Sequence, residues 1–257
     1  MHEGRPSLRK AAESGDGGLG VPGGALPKET ADPFCISAAE ADRLLAEAPW
    51  RRFAVIGDSL AEGLGGPLEG YATVPWADRV AEALRRRRPE LAFANFGRRR
   101  RRTAQVLEQQ LGQALEFAPD LLALVTGGND LLAPDYEPDA VAADFERIII
   151  ALRERSIAVV TFTLWDVSQV WPRLTGVRRA TDLLNARFRE VSGRHDVMLV
   201  DMWGHPACAA EDIYSRDIPA DRSAVRPETP VWVIHPSMRG HAILAAETIR
   251  CLAQAAA

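Results

Sequence analysis

The stretch that decides the fold is "RFAVIG", residues 52–57, a short apolar run that ends in glycine. Runs of this length without polar alternation are typical of strands that are buried on both faces of a sheet. Four further runs of the same kind follow it: "LAFANFG" (91–97), "DLLALVTGG" (120–128), "IAVVTFTLW" (157–165) and "DVMLVDMW" (196–203). The chain therefore predicts five buried strands.

Helical stretches alternate with these runs, at about 75–88, 103–117, 138–155, 177–193 and 237–254. Short buried strands separated by longer helices indicate right-handed βαβ units and a parallel sheet that is covered on both faces. We expect a single α/β domain over residues 35–257. It begins with a helix after Ser37, which has Glu40 at the capping-box position. Residues 1–34 are rich in glycine, proline and charge, and we expect a disordered or loosely attached tail.

Composition excludes several classes of protein. The 257 residues are 47% hydrophobic and carry a formal net charge of -4, which argues against a general nucleic-acid binder. Three cysteines at unrelated spacings suggest neither a disulfide framework nor a zinc site, and we expect no metal and no cofactor. No run resembles a signal peptide or a membrane span, so we expect a cytoplasmic protein without a membrane partner.

Polar residues follow the first and third strands, where functional groups of parallel sheets collect. Asp58 and Ser59 come directly after the first, and a serine there has its hydroxyl at a helix entrance where anions are favoured. Asn129 comes after the third, where its amide could face a developing oxyanion. The structural alternatives are a capping role for Ser59 and a Gly-Asn turn with a capping Asp130. The elbow G-x-S-x-G is absent, because residue 61 is alanine.

A histidine stands near the end of the chain in "TPVWVIHPSMRGH", residues 229–241, just before the last helix. Histidine titrates near neutrality and can activate a serine hydroxyl, so His235 is the candidate base. His205 follows the fifth strand and is a second candidate at the same edge of the sheet. His195 lies in a turn at the opposite edge, and His241 should be structural within the last helix.

Together, "GDS" (57–59), "GGND" (127–130), "HPS" (235–237) and "GH" (240–241) resemble the motif blocks of the SGNH/GDSL hydrolase family. The resemblance covers about residues 50–252. It implies a flavodoxin-like three-layer α/β/α sandwich and ester or acyl-group chemistry. By the same resemblance Ser59 is the nucleophile, Asn129 an oxyanion donor and His235 the general base.

One departure from the family pattern concerns the carboxylate that orients the histidine. The family usually has aspartate three residues before its histidine, and this chain has Trp232 there. "IYSRD" (213–217) looks like the stretch that normally leads into the histidine, so Asp217 is the predicted orienter, displaced by the segment 218–234. A long loop costs little more to close than a short one. Asp221 and Glu228 are weaker substitutes, and a Ser–His dyad is the alternative.

The second departure is "NFGRRRRRTAQ", residues 95–105. The resembling family has the pattern N-x-x-x-x-G at this place, and its glycine contributes an N–H to the oxyanion hole. Counted from Asn95, Arg100 stands at that glycine position. Either Arg100 keeps the donor geometry or another N–H serves, for which Gly97 is a candidate. The five arginines lack aromatic interleaving, so a nucleic-acid site is not favoured. They predict either a solvated loop or a pocket for an acidic acyl substrate.

The leading interpretation is a serine esterase that acts on a small-molecule ester or acyl substrate. The arginine run adds the expectation that this substrate is anionic. Two alternatives stay open. The same acyl-enzyme could pass its acyl group to an alcohol or amine, with segment 218–234 as a lid or acceptor-binding loop. The two departures could instead mark a catalytically degenerate protein that binds a ligand on an enzyme scaffold.

Overall fold

The computed structural model describes residues 26–172, 175–215 and 234–256, and it contains the predicted parallel sheet. The sheet has five strands in the order β2-β1-β3-β4-β5, which is the flavodoxin-like order. Their pairings are all parallel, so their carboxyl ends share one edge. The strands are β1 (Arg52–Gly57), β2 (Ala92–Asn95), β3 (Leu121–Val125), β4 (Ala158–Phe162) and β5 (Met198–Val200).

Helices cover both faces of the sheet, as the alternation of the sequence predicts. Successive side chains of a strand point to opposite faces, so Phe53 and Val55 pack with the helices of one layer, while Ala54 and Ile56 pack with those of the other. The helices are α1 (Pro27–Ala31), α2 (Ala38–Leu44), α3 (Ser59–Glu62), α4 (Trp76–Arg87), α5 (Thr103–Gln109), α6 (Leu111–Phe117), α7 (Pro138–Arg153), α8 (Thr175–Arg194) and α9 (Met238–Ala256). The three-layer α/β/α fold is confirmed.

The predicted helix 103–117 is interrupted at Gln110, which separates α5 from α6. The buried Gln110 side chain accepts a hydrogen bond from the Gly57 N–H (2.7 Å) and donates one to the Gly57 carbonyl (2.9 Å). Gly57 itself has φ +142°, and a Cβ there would lie 1.9 Å from the Val125 carbonyl oxygen. Only glycine therefore lets β1 end this close to β3, two residues before Ser59.

The segment before the sheet is attached to the domain from residue 26 onward. Ser37 caps α2 by accepting a hydrogen bond from the Glu40 N–H, as predicted. Residues 26–34, which the sequence analysis assigned to the tail, include α1 and the buried Asp32, whose carboxylate accepts a hydrogen bond from the Tyr71 hydroxyl (2.8 Å). Residues 1–25 lie outside the described residues. Within the described ranges, no helix has the length and apolar character to cross a membrane.

Candidate active site

Ser59 is the first residue of α3, at the carboxyl end of β1. The cap of that helix is Asp58, whose side chain accepts a hydrogen bond from the Leu60 N–H (3.0 Å). Helix capping therefore does not account for Ser59, which was the structural alternative for this serine. The pairing of Gly57 with Val125 ends β1 and β3 at the same level, so the residues that follow the two strands are neighbours.

Asn129 and Asp130 follow β3 and hold the loop that leads into α5. The Asn129 side chain donates a hydrogen bond to the Arg101 carbonyl (3.0 Å) through one of its two amide hydrogens. Asp130 is buried, and its carboxylate accepts hydrogen bonds from the N–H and the hydroxyl of Thr103, the first residue of α5. Asp130 thus satisfies a helix N-terminus, while Asn129 retains a second amide hydrogen for a ligand.

His235 is buried and lies in β7 (His235–Pro236), which pairs antiparallel with β6 (Tyr214–Ser215). Ser237 follows and caps α9, since its hydroxyl lies 3.4 Å from the Gly240 N–H. The histidine therefore precedes a helix entrance, as the sequence indicates. Because α3 contacts β7, the histidine is brought to the side of the sheet on which Ser59 lies.

Ser59, Asn129 and His235 line one cavity of about 230 Å³ at the carboxyl edge of the sheet. Apolar side chains form most of its wall, and Asp58 contributes a buried carboxyl group beside the serine. The apolar residues are Leu60, Leu131, Leu132, Leu164, Trp165, Val167, Val177 and Ile234. Three polar groups converging in an apolar cleft are typical of a small-molecule site.

The other histidines have different surroundings. His205 accepts a hydrogen bond from the Ala207 N–H (3.2 Å), and its other ring nitrogen lies 3.7 Å from a Glu247 carboxylate oxygen on α9. His195 lies 2.7 Å from the Glu146 carboxylate, away from the cavity. His241 is buried within α9, accepts from the Trp76 N–H and bonds to the Leu64 carbonyl. Burial lowers the pKa of His241 to about 4, so it stays neutral.

Two of the remaining predicted site residues, Gly97 and Arg100, are described by the structure and do not reach the cavity. Gly97 donates its N–H to the Asn95 side chain (2.9 Å) and packs against α3. Arg100 is exposed and has φ +64°, a left-handed conformation that favours glycine, so the loop keeps a glycine-like backbone at the position where the family has that residue. Neither belongs to the described residues that line the cavity. Asp217, Asp221, Glu228 and Trp232 lie outside the described residues.

Two arginines of the run 98–102 are held by carboxylates. Arg99 pairs with Glu62 of α3 (3.1 Å), and Arg102 pairs with Asp135 (2.8 Å), both at exposed positions. Such pairs contribute little to stability. Among the described residues, no group of three or more His, Cys, Asp or Glu side chains is arranged to hold a metal ion.

Asp58 makes the stability of the domain depend on pH. Burial, with the nearby charge of Asp130, raises the pKa of Asp58 to about 7. Between about pH 4 and pH 7 the folded protein therefore binds a proton that the unfolded chain has lost, so stability falls as pH rises. Asp58→Asn keeps an acceptor for Leu60 and cannot ionise.

We expect the stability of wild type relative to Asp58→Asn to fall by up to about 4 kcal/mol between pH 4 and pH 8. Urea unfolding of both proteins across this range measures it. The ionisation of His241 is common to both proteins and cancels in the difference. Parallel stability curves would show that Asp58 is ionised throughout.

The sequence analysis missed the residues that shape the wall. Trp165 lies three residues after the end of β4, although the sequence analysis included it in the apolar run 157–165, so its place at the end of a strand run was a usable signal. Its ring lies against the α9 entrance, where a Cβ on Gly240 would be 3.2 Å from it. Val177 and Thr181 lie one turn apart on α8, and nothing in the sequence indicates that this turn faces the cavity.

Comparisons with known proteins agree with the fold. Two solved structures share the fold: LAE5, an alpha/beta hydrolase from the metagenome of Lake Arreo, Spain (TM-score 0.59, 18% identity), and Axe2, an acetylxylan esterase from Geobacillus stearothermophilus (TM-score 0.56, 19% identity). Each match covers 79% of this chain and 94% of the other. No curated protein matches by sequence. The profile of the GDSL-like lipase/acylhydrolase family matches residues 55–243, and the chain therefore belongs to this family of ester-cleaving hydrolases.

Proposed function

We propose that this protein is a serine esterase in which Ser59 is the nucleophile, His235 the general base and Asn129 an oxyanion donor. The observation that carries the proposal is that these three side chains, from three distant parts of the chain, line one apolar-walled cavity. A serine hydroxyl is a weak nucleophile by itself and needs a base beside it. The compartment in which the reaction takes place is proposed to be the cytoplasm.

The reaction proceeds through an acyl-enzyme. The Ser59 oxygen attacks the ester carbonyl carbon while His235 takes the hydroxyl proton, and the Asn129 amide stabilises the charge on the carbonyl oxygen. His235 then gives this proton to the leaving alcohol as the C–O bond breaks. Water attacks the acyl-enzyme in the same way, releasing the acid and restoring Ser59. We propose Asp217 as the carboxylate that orients His235.

The cavity favours an apolar acyl group. Leu131, Leu132 and Leu164 are among its walls, and an apolar chain is stabilised there by removal of its surface from water. Arg100 is not among the described residues that line this cavity. We therefore propose that any negatively charged group that binds the arginine run belongs to the alcohol part of the ester.

A fluorophosphonate probe tests the proposal, because it reacts with an activated serine. We expect the folded wild-type protein to be labelled and Ser59→Ala to remain unlabelled. Absence of labelling on folded wild type would instead support a degenerate, ligand-binding protein.

Kinetics with added alcohols or amines separates hydrolysis from acyl transfer, since an acceptor that competes with water yields a new ester or amide.

Arg100→Gly tests whether the substrate carries a negative charge. The backbone of Arg100 is already left-handed, so glycine should fit without moving the loop. We expect kcat/KM for a neutral ester to change less than about threefold and that for a matched anionic ester to fall about tenfold at low salt. Arg98→Gly, which removes another exposed charge of the run, is the control. An unchanged preference between the two esters would show that Arg100 does not select the substrate.

A further inference from the structure

The entrance of α9 is joined to the segment that precedes the sheet by a buried ion pair. The Arg239 guanidinium donates from Nε to Asp32 (2.6 Å) and from Nη1 to Asp212 (2.5 Å). The Asp32 side chain is only 2% exposed and that of Arg239 14%. Asp32 also accepts hydrogen bonds from the Tyr71 hydroxyl (2.8 Å) and the Phe34 N–H (3.1 Å), so its oxygens are well satisfied.

Arg239 stands where a cation is unfavourable unless it is paired. It is the second residue of α9, at the positive end of the helix dipole. The carboxylates of Asp32 and Asp212 offset this unfavourable interaction with the helix dipole. Burial also disfavours the charged form of the Arg239 guanidinium. Their hydrogen bonds and charges outweigh the burial and raise the pKa of Arg239 above its ordinary value. Loss of Asp32 would leave a buried cation with one exposed partner at the helix entrance.

The same helix entrance carries His235. Three residues separate His235 from Arg239, and the backbone between them is held on two sides. The Ser237 N–H donates to the Ile213 carbonyl (2.8 Å), and the Met238 N–H donates to the Gly66 carbonyl (2.9 Å). Ser237 also donates its hydroxyl to the Asp212 carbonyl, and Asp212 is the second carboxylate on Arg239. Asp212 therefore links Arg239 to Ser237, which lies two residues after His235.

We propose that Asp32 is a positioning residue for the catalytic base, because the Asp32–Arg239 pair fixes the α9 entrance and with it the place of His235. The inference rests on the proposed function, since it assumes that His235 is the base. Asp32 lies outside the region that matches the family, which begins at residue 55. The segment before the sheet thus contributes to catalysis in this chain without contacting substrate.

Asp32→Asn tests the proposal, and the chain offers a matched control. Glu29 belongs to the same segment and pairs with Arg79 on α4 (2.6 Å), with side-chain exposures of 21% and 15%. Its carboxylate also accepts a hydrogen bond from the Ala72 N–H (2.8 Å), and among the described residues no hydrogen bond or ion pair joins it to α9. Glu29→Gln therefore breaks a half-buried ion pair that attaches the same segment elsewhere. Both variants are assayed well below their melting temperatures. Small displacements of a catalytic group can cost up to about a hundredfold in rate.

We expect kcat and the rate of fluorophosphonate labelling to fall about tenfold in Asp32→Asn, with KM within about twofold. In Glu29→Gln, kcat and the labelling rate should stay within about twofold of wild type, although the melting temperatures of the two variants fall by similar amounts. Equal kcat losses in the two variants would overturn the inference. If Asp32→Asn does not fold, Arg239→Lys, which keeps the charge but cannot span both carboxylates, is compared with Arg79→Lys by the same criterion.

The outcome can be separated from that of the proposed function. If Ser59→Ala and His235→Ala abolish hydrolysis while Asp32→Asn behaves like Glu29→Gln, only the positioning role is wrong. If Ser59→Ala or His235→Ala retains activity, the proposed function itself is wrong.

Discussion

Ser59→Ala should lower kcat for ester hydrolysis by about four to six orders of magnitude, and His235→Ala should cost nearly as much. The double variant should be little worse than either single one, because nucleophile and base act as a unit and neither retains its role without the other. Steady-state and single-turnover rates on an activated ester with an apolar acyl group, such as a nitrophenyl ester, measure all three losses.

His205→Ala is the matched control for this experiment. His205 also lies at the carboxyl edge of the sheet, but its ring contacts Glu247 and Phe34 rather than the cavity. We expect its kcat to stay within about threefold of wild type. A loss of kcat in His205→Ala as large as that in His235→Ala would contradict the assignment of His235 as the base. Additive, modest losses in Ser59→Ala and His235→Ala would contradict the nucleophile–base pair.

Asn129→Ala should lower kcat by about a hundredfold to a thousandfold with little change in KM, as expected when one oxyanion donor is removed. The donor interacts more strongly with the charged tetrahedral state than with the neutral ester, so the loss appears in the chemical step. A transition-state analogue such as a boronic acid should lose affinity in proportion to kcat. Rates and inhibition constants on the same ester series measure both quantities.

Asn129 also holds the Arg101 carbonyl, so a control must separate donation to substrate from support of the loop. Asn95 anchors the other end of this loop, since its side chain donates to the Ala61 carbonyl (2.7 Å) and accepts from the Gly97 N–H (2.9 Å), and it does not line the cavity. Asn95→Ala should cost less than about tenfold in kcat. If it costs as much as Asn129→Ala, loop support explains the effect.

Much of the fold could be predicted because each strand is a continuous apolar run followed by glycine or polar residues. Burial on both faces requires such runs, and only a parallel sheet between two helical layers provides it. The observed strand order β2-β1-β3 places the residues after β1 and β3 side by side, and Gly57 pairs with Val125 at the ends of these strands. The break at Gln110 could not be predicted, because it depends on a side chain reaching a strand 53 residues away.

The layer architecture, the edge of the sheet at which the candidate site lies, and the residue types that stand there could be predicted from the sequence alone. These follow from local periodicity and from residues that end strands. The structure was needed to show that Asp58 rather than Ser59 caps α3, that Arg100 adopts a left-handed backbone, and that Asp32 is paired with Arg239. The first depends on the direction of a side chain, the second on a backbone dihedral angle, and the third on a contact across more than two hundred residues. The free energy of such a contact comes from burial and partners that local sequence patterns do not contain.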